Sequence, residues 1–116
     1  MGKNFIINWN EIVLMNDGDE EEARHMLGIF FGTSLPEIKI LFRDYYNSHD
    51  IAGLRAVSHR LIGTLLYLSC PDLAKAASSF HKQLKEEANN QEVLKEKYEL
   101  LCKAIKDSEE YYRQIF

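Results

Sequence analysis

The sequence has few of the residues that break helices, staple small domains or build strands. Two prolines in 116 residues, few β-branched runs and no alternation of apolar with polar positions leave little from which to make a sheet. Cysteine is equally scarce. Cys70 and Cys102 fit no metal-ligand spacing, and a lone pair of thiols in a chain of this size reads as buried and reduced, not bridged. Basic residues are in deficit, 14 against 18 acids for a formal charge of -4. That removes nucleic acid and anionic lipid from the front rank of partners. Long hydrophobic runs are missing too: the longest, "LIGTLLYLSC", is too short to span a bilayer. "MGKNFIINWN" lacks the apolar core and small-residue cleavage site of a leader, and Met1-Gly2 lacks the Ser or Thr at position 6 that acylation requires. A cytoplasmic location without membrane insertion is expected, and the Met1 start favours a freestanding chain.

What remains is an ordinary globular composition, 46% hydrophobic and 28% charged, the size of one domain over 1–116. Apolar residues recur at helical spacing almost throughout, so the fold class is all-α. "NWNEIVLMND" predicts a short helix capped by Asn8 or Asn10, with Trp9, Ile12 and Val13 on its apolar side, lying across one end of the fold. The acidic run "DGDEEE" suits the positive end of a helix dipole, with Asp17 or Asp19 as the cap. It lacks the spaced ligands of a calcium loop. Ala23, Leu27, Phe30, Ser34, Ile38, Leu41 and Tyr45 then form one stripe, and Pro36 predicts a kink near 31–36 or two abutting helices. Asp50 caps the next helix, from Ile51 to about Leu68. Pro71 and Asp72 start another with Leu73, Ala77, Phe80 and Leu84 inward. After the loop "EEANNQ", a final helix carries Leu94, Tyr98, Leu101, Ile105, Ser108, Tyr112 and Ile115. Short connections make antiparallel neighbours, which predicts an up-down-up-down four-helix bundle with a short extra N-terminal helix. A dimeric coiled coil through the final helix is the alternative, but one chain can cover every stripe and a monomer is expected.

On a helical wheel, Leu54, Val57, Ser58, Leu61, Thr64, Leu65 and Leu68 share the core side of the helix from Ile51 to about Leu68. His59 falls nearly opposite. Arg55 and Ala56 lie one turn before it, Ile62 and Gly63 one turn after, and Leu66 beyond. A glycine inside a helix costs about 0.8 to 1 kcal/mol relative to alanine, and Gly63 is too far from the end to serve as a cap. Two uses would compensate: tight packing of a neighbouring helix, or close approach of another molecule beside His59. A neutral imidazole at such a gap is a competent nucleophile. His25 and His49 share no ligand spacing with it, and no metal site is expected.

The stretch "SHRLIGTLLYLSC", followed by "DLAKAASSFHKQLKEE", resembles the histidine phosphotransfer (HPt) domain of multistep two-component phosphorelays. That family carries a small residue, His, a core Leu two residues on, Lys at three, Gly at four, Leu at nine and a small residue at ten. The same positions here are Ser58, His59, Leu61, Ile62, Gly63, Leu68 and Ser69. The likeness extends over nearly the whole chain, through the N-terminal short helix, the acidic start, Phe31, Leu35 and Pro36, and the Asp before the His-bearing helix.

The resemblance implies a phosphoryl carrier and not an enzyme with its own nucleotide site. His59 would take a phosphoryl group from the aspartate of a receiver domain and pass it to another, between a hybrid sensor histidine kinase and a response regulator. No cofactor of its own is implied; magnesium belongs to the partner receiver domain. Two positions depart from the pattern. Ile62 replaces the frequent Lys, leaving Arg55 or Arg60 to supply charge, although Arg60 points away from His59 on the wheel. His81 stands where the facing helix often offers Gln or Glu to orient the imidazole. Ala56, Ile62 and Leu66 form a candidate apolar docking patch. Two readings compete with the carrier: a helical module that binds a receiver domain or other signalling partner without being phosphorylated, and a structural bundle in which His59 is incidental. His59 and Gly63 together argue against the last, since neither aids helix or core.

Overall fold

A computed structural model describes residues 5–116, and every regular element among them is helical. The Met1-Gly2 start lies outside the described residues. Helix α1 spans Trp9–Met15, and the Asn8 side chain caps it by accepting from the Glu11 N–H at 3.3 Å. Asn10 sits inside the helix instead. Ile12 is fully buried with Trp9 and Val13 packed at the edge of the core, and the Asn8 N–H donates to the Ser69 carbonyl at 2.8 Å, tying α1 to the turn between two later helices. Asp17 and Gly18 turn the chain at positive φ, and Asp19, not Asp17, caps α2 (Glu20–Ile29) through the Glu22 N–H at 3.0 Å.

The break expected around Pro36 is a change of helical register. Pro36 has no N–H to give the Gly32 carbonyl, and the backbone widens ahead of it into a π turn over Phe30–Ser34, in which the Leu35 N–H reaches the Phe30 carbonyl. Helix α3 (Leu35–Asn47) continues directly. The inserted residue rotates everything after it. Ala23, Leu27 and Phe30 are buried as the stripe requires, but the inward face then passes to Leu35, Ile38 and Phe42, and Ser34, Leu41 and Tyr45 are only half-buried.

Helix α4 (Ile51–Leu65) starts at Asp50, whose side chain accepts from the Gly53 N–H at 2.8 Å. It ends three residues earlier than the pattern suggested, because 66–68 wind into a tighter turn with bonds of 3.3 Å back to Gly63, Thr64 and Leu65. Helix α5 (Pro71–Glu86) places Pro71 in its first turn, where a missing N–H costs nothing, and buries Leu73, Ala77, Phe80 and Leu84. Helix α6 (Gln91–Ile115), capped by Asn90, buries Leu94, Leu101, Ile105 and Ser108, while Tyr98 and Tyr112 are half-buried and Ile115 is exposed.

Consecutive helices from α3 to α6 pack side by side. Helix α6 also returns against α3 and the π turn before it: Tyr98 stacks on Tyr46 at 3.8 Å, Tyr112 on Phe31 at 4.4 Å, and Lys39 pairs with Glu109 at 3.0 Å. The α6 stripe from Leu94 to Tyr112 is thus covered wholly or in part within the chain, while Ile115 at its end is exposed. Among the described residues no helix is long and apolar enough to cross a membrane. Both thiols are free, but only Cys70 is buried; Cys102 is exposed, against expectation. Burial pushes the Cys70 thiol up to about 12, so it stays protonated and inert at neutral pH.

Candidate functional site

The site is built on the face of α4 opposite its buried leucines. Leu54, Val57, Ser58, Leu61 and Leu65 anchor the inner side, which fixes the rotation of the helix and leaves His59 exposed. Thr64 is half-buried and donates to the Arg60 carbonyl at 3.0 Å, so it is not part of the inner face. A β-carbon built on Gly63 would meet nothing within 4 Å. This removes one of the two explanations for that glycine: no neighbouring helix among the described residues uses the gap.

Close packing at a glycine occurs instead at Gly53. A β-carbon there would stand 2.5 to 2.7 Å from three ring atoms of Tyr45 on α3. Sequence reasoning passed over Gly53 because a glycine in the first turn of a helix raises no local alarm; only the Tyr45 ring makes it necessary.

The sequence-derived support residues divide. His81 comes from α5 to the edge of the site, with its ring centroid 6.0 Å from that of His59 and the planes tilted by 38°. Its Nδ1 lies 2.6 Å from the hydroxyl of Ser58, and that hydroxyl donates to the Arg55 carbonyl at 3.1 Å. The ring is therefore anchored to a fully buried serine, not to His59. Arg55 reaches across to α5 and donates twice to the Leu84 carbonyl, at 3.1 and 2.8 Å, which satisfies the negative end of that helix. Arg60 points the other way and pairs with Glu37 on α3 at 3.1 Å, so it lends no charge to His59. Lys85, one turn beyond His81 on α5, acts on the His81 ring; its i,i+4 spacing from His81 was the signal that could have singled it out.

Partial burial, followed by the charges of Lys85, His59 and Arg55, lowers the His81 pKa below the ordinary imidazole value. The unfolded chain then binds a proton at pH values where folded His81 does not, so this residue contributes a stability that is constant above about pH 6.5 and declines below it until folded His81 protonates. Denaturant titrations at about pH 7 and about pH 5.5 should show wild type losing more stability than His81→Gln between the two. Equal losses would mean that the ring titrates normally.

Ile62 is half-buried against the core, whereas Ala56 is exposed and Leu66 is 69% exposed. The exposed apolar surface extends past the three residues singled out from sequence. Tyr67 is 67% exposed and Ile29 on α2 is 46% exposed; together with Met26 and Gly63 they line a shallow groove of about 400 Å³ between α2 and α4. Met26 and Ile29 were legible only as apolar residues off the α2 stripe. Among the described residues no three His, Cys, Asp or Glu side chains gather as a metal site. Compared with protein-family models, with curated proteins and with solved structures, the chain returns no match.

Proposed function

We propose that this chain is an HPt-type phosphoryl carrier, an antiparallel up-down-up-down four-helix bundle of the α2–α3 helix, α4, α5 and α6 with α1 as the extra N-terminal helix. One observation carries the reading. His59 stands exposed on α4 beside a glycine whose missing β-carbon serves no contact among the described residues, which is the arrangement needed for another protein to bring a phosphoryl group down onto the imidazole. The lone pair of a neutral His59 ring nitrogen attacks the phosphorus of a receiver-domain acyl phosphate. The P–O bond to the aspartate breaks, and the carboxylate leaves with its electron pair. The second ring nitrogen carries its proton through the transfer, so that when another aspartate attacks the phosphorus the P–N bond breaks, the imidazole leaves neutral with that electron pair, and the relay is complete. The receiver brings the magnesium ion, and the chain contributes the nucleophile and a docking face around Ala56, Ile62, Leu66 and Tyr67. Both partner types act in the cytoplasm, where the chain is proposed to work.

The second reading, a module that binds receiver domains without being phosphorylated, is favoured by three features: Ile62 stands at the lysine position, Arg60 is paired with Glu37, and Nε and Nη2 of Arg55 are bonded to the Leu84 carbonyl. Incubation with phosphorylated receiver domains and magnesium separates the two. The carrier acquires phosphate that is labile in acid and stable in base, as a phosphoramidate must be. A panel of receivers that bind the chain without labelling it would establish the second reading instead.

A further inference from the structure

We propose that His81 is the charge partner of the phosphoryl group: it binds a proton when His59 is phosphorylated, and thereby links phosphoryl retention to pH. The inference rests on the carrier reading. It begins from a deficit of available charge. Phosphorylation places a dianion on the outer face of α4, where Ile62 offers no cation, Arg60 is held by Glu37 at 3.1 Å, and the Arg55 guanidinium is drawn toward α5 by the bonds of its Nε and Nη2 to the Leu84 carbonyl. The His81 ring, 6.0 Å from His59, is the titratable group anchored next to it.

The anchoring matters as much as the distance. The 2.6 Å contact between the Ser58 hydroxyl and His81 Nδ1 is made by an Nδ1–H donor in one tautomer of the neutral ring and by the hydroxyl in the other. In protonated His81 both ring nitrogens carry hydrogen, so Nδ1–H donates to the hydroxyl, which in turn donates to the Arg55 carbonyl at 3.1 Å. The Ser58 contact thus holds the ring in one orientation through the change of charge.

The charged and titratable groups facing His81 oppose its protonation in the unphosphorylated chain: His59 and Arg55 stand on α4 and Lys85 on its own helix, and no carboxylate acts on it. Glu86, the next acid along α5, is paired with Lys82 at 3.9 Å. A phosphoryl dianion at His59 reverses the sign of that environment. At this spacing, with nearly aqueous screening, it should raise the His81 midpoint by about one pH unit. By linkage, proton binding at His81 favours the phosphorylated state of His59 by the same factor, about tenfold. The proton comes from solvent, and no bond other than the phosphoramidate forms.

The experiment uses the full chain with 15N-labelled histidines, phosphorylated by phosphoramidate, a small donor that needs no receiver. The His81 ring signals are titrated before and after phosphorylation. A midpoint raised by about one pH unit supports the proposal; phosphate on His59 with an unmoved His81 midpoint overturns it and leaves the carrier reading standing. If no phosphate reaches His59, the carrier reading falls and the proposal with it. Equilibration with a phosphorylated receiver gives the second readout. Lowering the pH through the His81 midpoint should shift phosphate toward wild-type His59 more than toward His59 of the His81→Gln protein, by about tenfold. The same pH dependence in both proteins also overturns the assignment.

Discussion

His59→Gln is expected to abolish phosphoryl acceptance, lowering labelling by a phosphorylated receiver domain more than about a thousandfold, with unfolding stability within about 0.5 kcal/mol of wild type. The two halves of this result have separate causes. Glutamine keeps a polar side chain of similar length, but its amide nitrogen has no available lone pair and cannot attack phosphorus. The stability half follows from position: His59 is exposed on a helix whose inner face is secured by Leu54, Leu61 and Leu65, and glutamine is a somewhat better helix former than histidine. Chemical denaturation checks the fold, and acid and base stability of the retained phosphate checks the chemistry. Label that persists in the variant would place the phosphoryl group on another histidine. His81 would be the first to examine, since it is the neighbour of His59, whereas His25 and His49 lie on other elements.

The parts of the fold legible from sequence were those decided locally. Asp50 caps its helix as expected, and Asn8 and Asp19 do so from the pairs Asn8 or Asn10 and Asp17 or Asp19, because a short polar side chain at that position satisfies N–H groups that have no other partner. The α5 stripe was recovered residue for residue, since nothing in 71–86 disturbs the period of 3.6. The wheel placed His59 outward for the same reason.

The register change before Pro36 was not legible in that way. The proline announces a disturbance, but a kink, a break and a π turn all accommodate its missing donor, and only the packing of Phe30, Phe31 and Leu35 into the core selects the last. One extra residue in the turn moved the inward face of α3 from Leu41 and Tyr45 to Phe42. The site shows the same limit. Arg55 and Arg60 are both cations near His59 in sequence, yet what they contribute depends on partners far along the chain, a backbone carbonyl of α5 and a carboxylate of α3. Residues such as Ile29 and Met26 join the α4 face only through tertiary packing. No periodicity on α4 could announce them.

The two glycines of α4 should respond to substitution with opposite signs, and the contrast tests the account of the site most severely. Gly63→Ala adds a methyl group into open space and removes the entropic penalty of glycine within a helix, so unfolding stability should rise by about 0.5 to 1 kcal/mol. Gly53→Ala makes a similar local change, but its β-carbon would sit 2.5 Å from the Tyr45 ring; α3 and α4 must separate or the tyrosine must leave its place, for a net loss of about 2 kcal/mol. Denaturant midpoints measured together distinguish these shifts from any general effect of adding methyl groups to α4. Function should run against stability at Gly63. Gly63→Leu fills the space beside His59 and should keep the fold while slowing phosphoryl transfer from a receiver domain at least about tenfold, equivalent to about 1.4 kcal/mol of lost approach. Transfer at the wild-type rate by that variant would mean that no partner comes down over Gly63, leaving the glycine without a use. A Gly63→Ala protein less stable than wild type would instead reveal an internal contact at that position. Only a more stable Gly63→Ala protein together with a slower Gly63→Leu protein is consistent with a helix that gives up stability at Gly63 to admit another molecule.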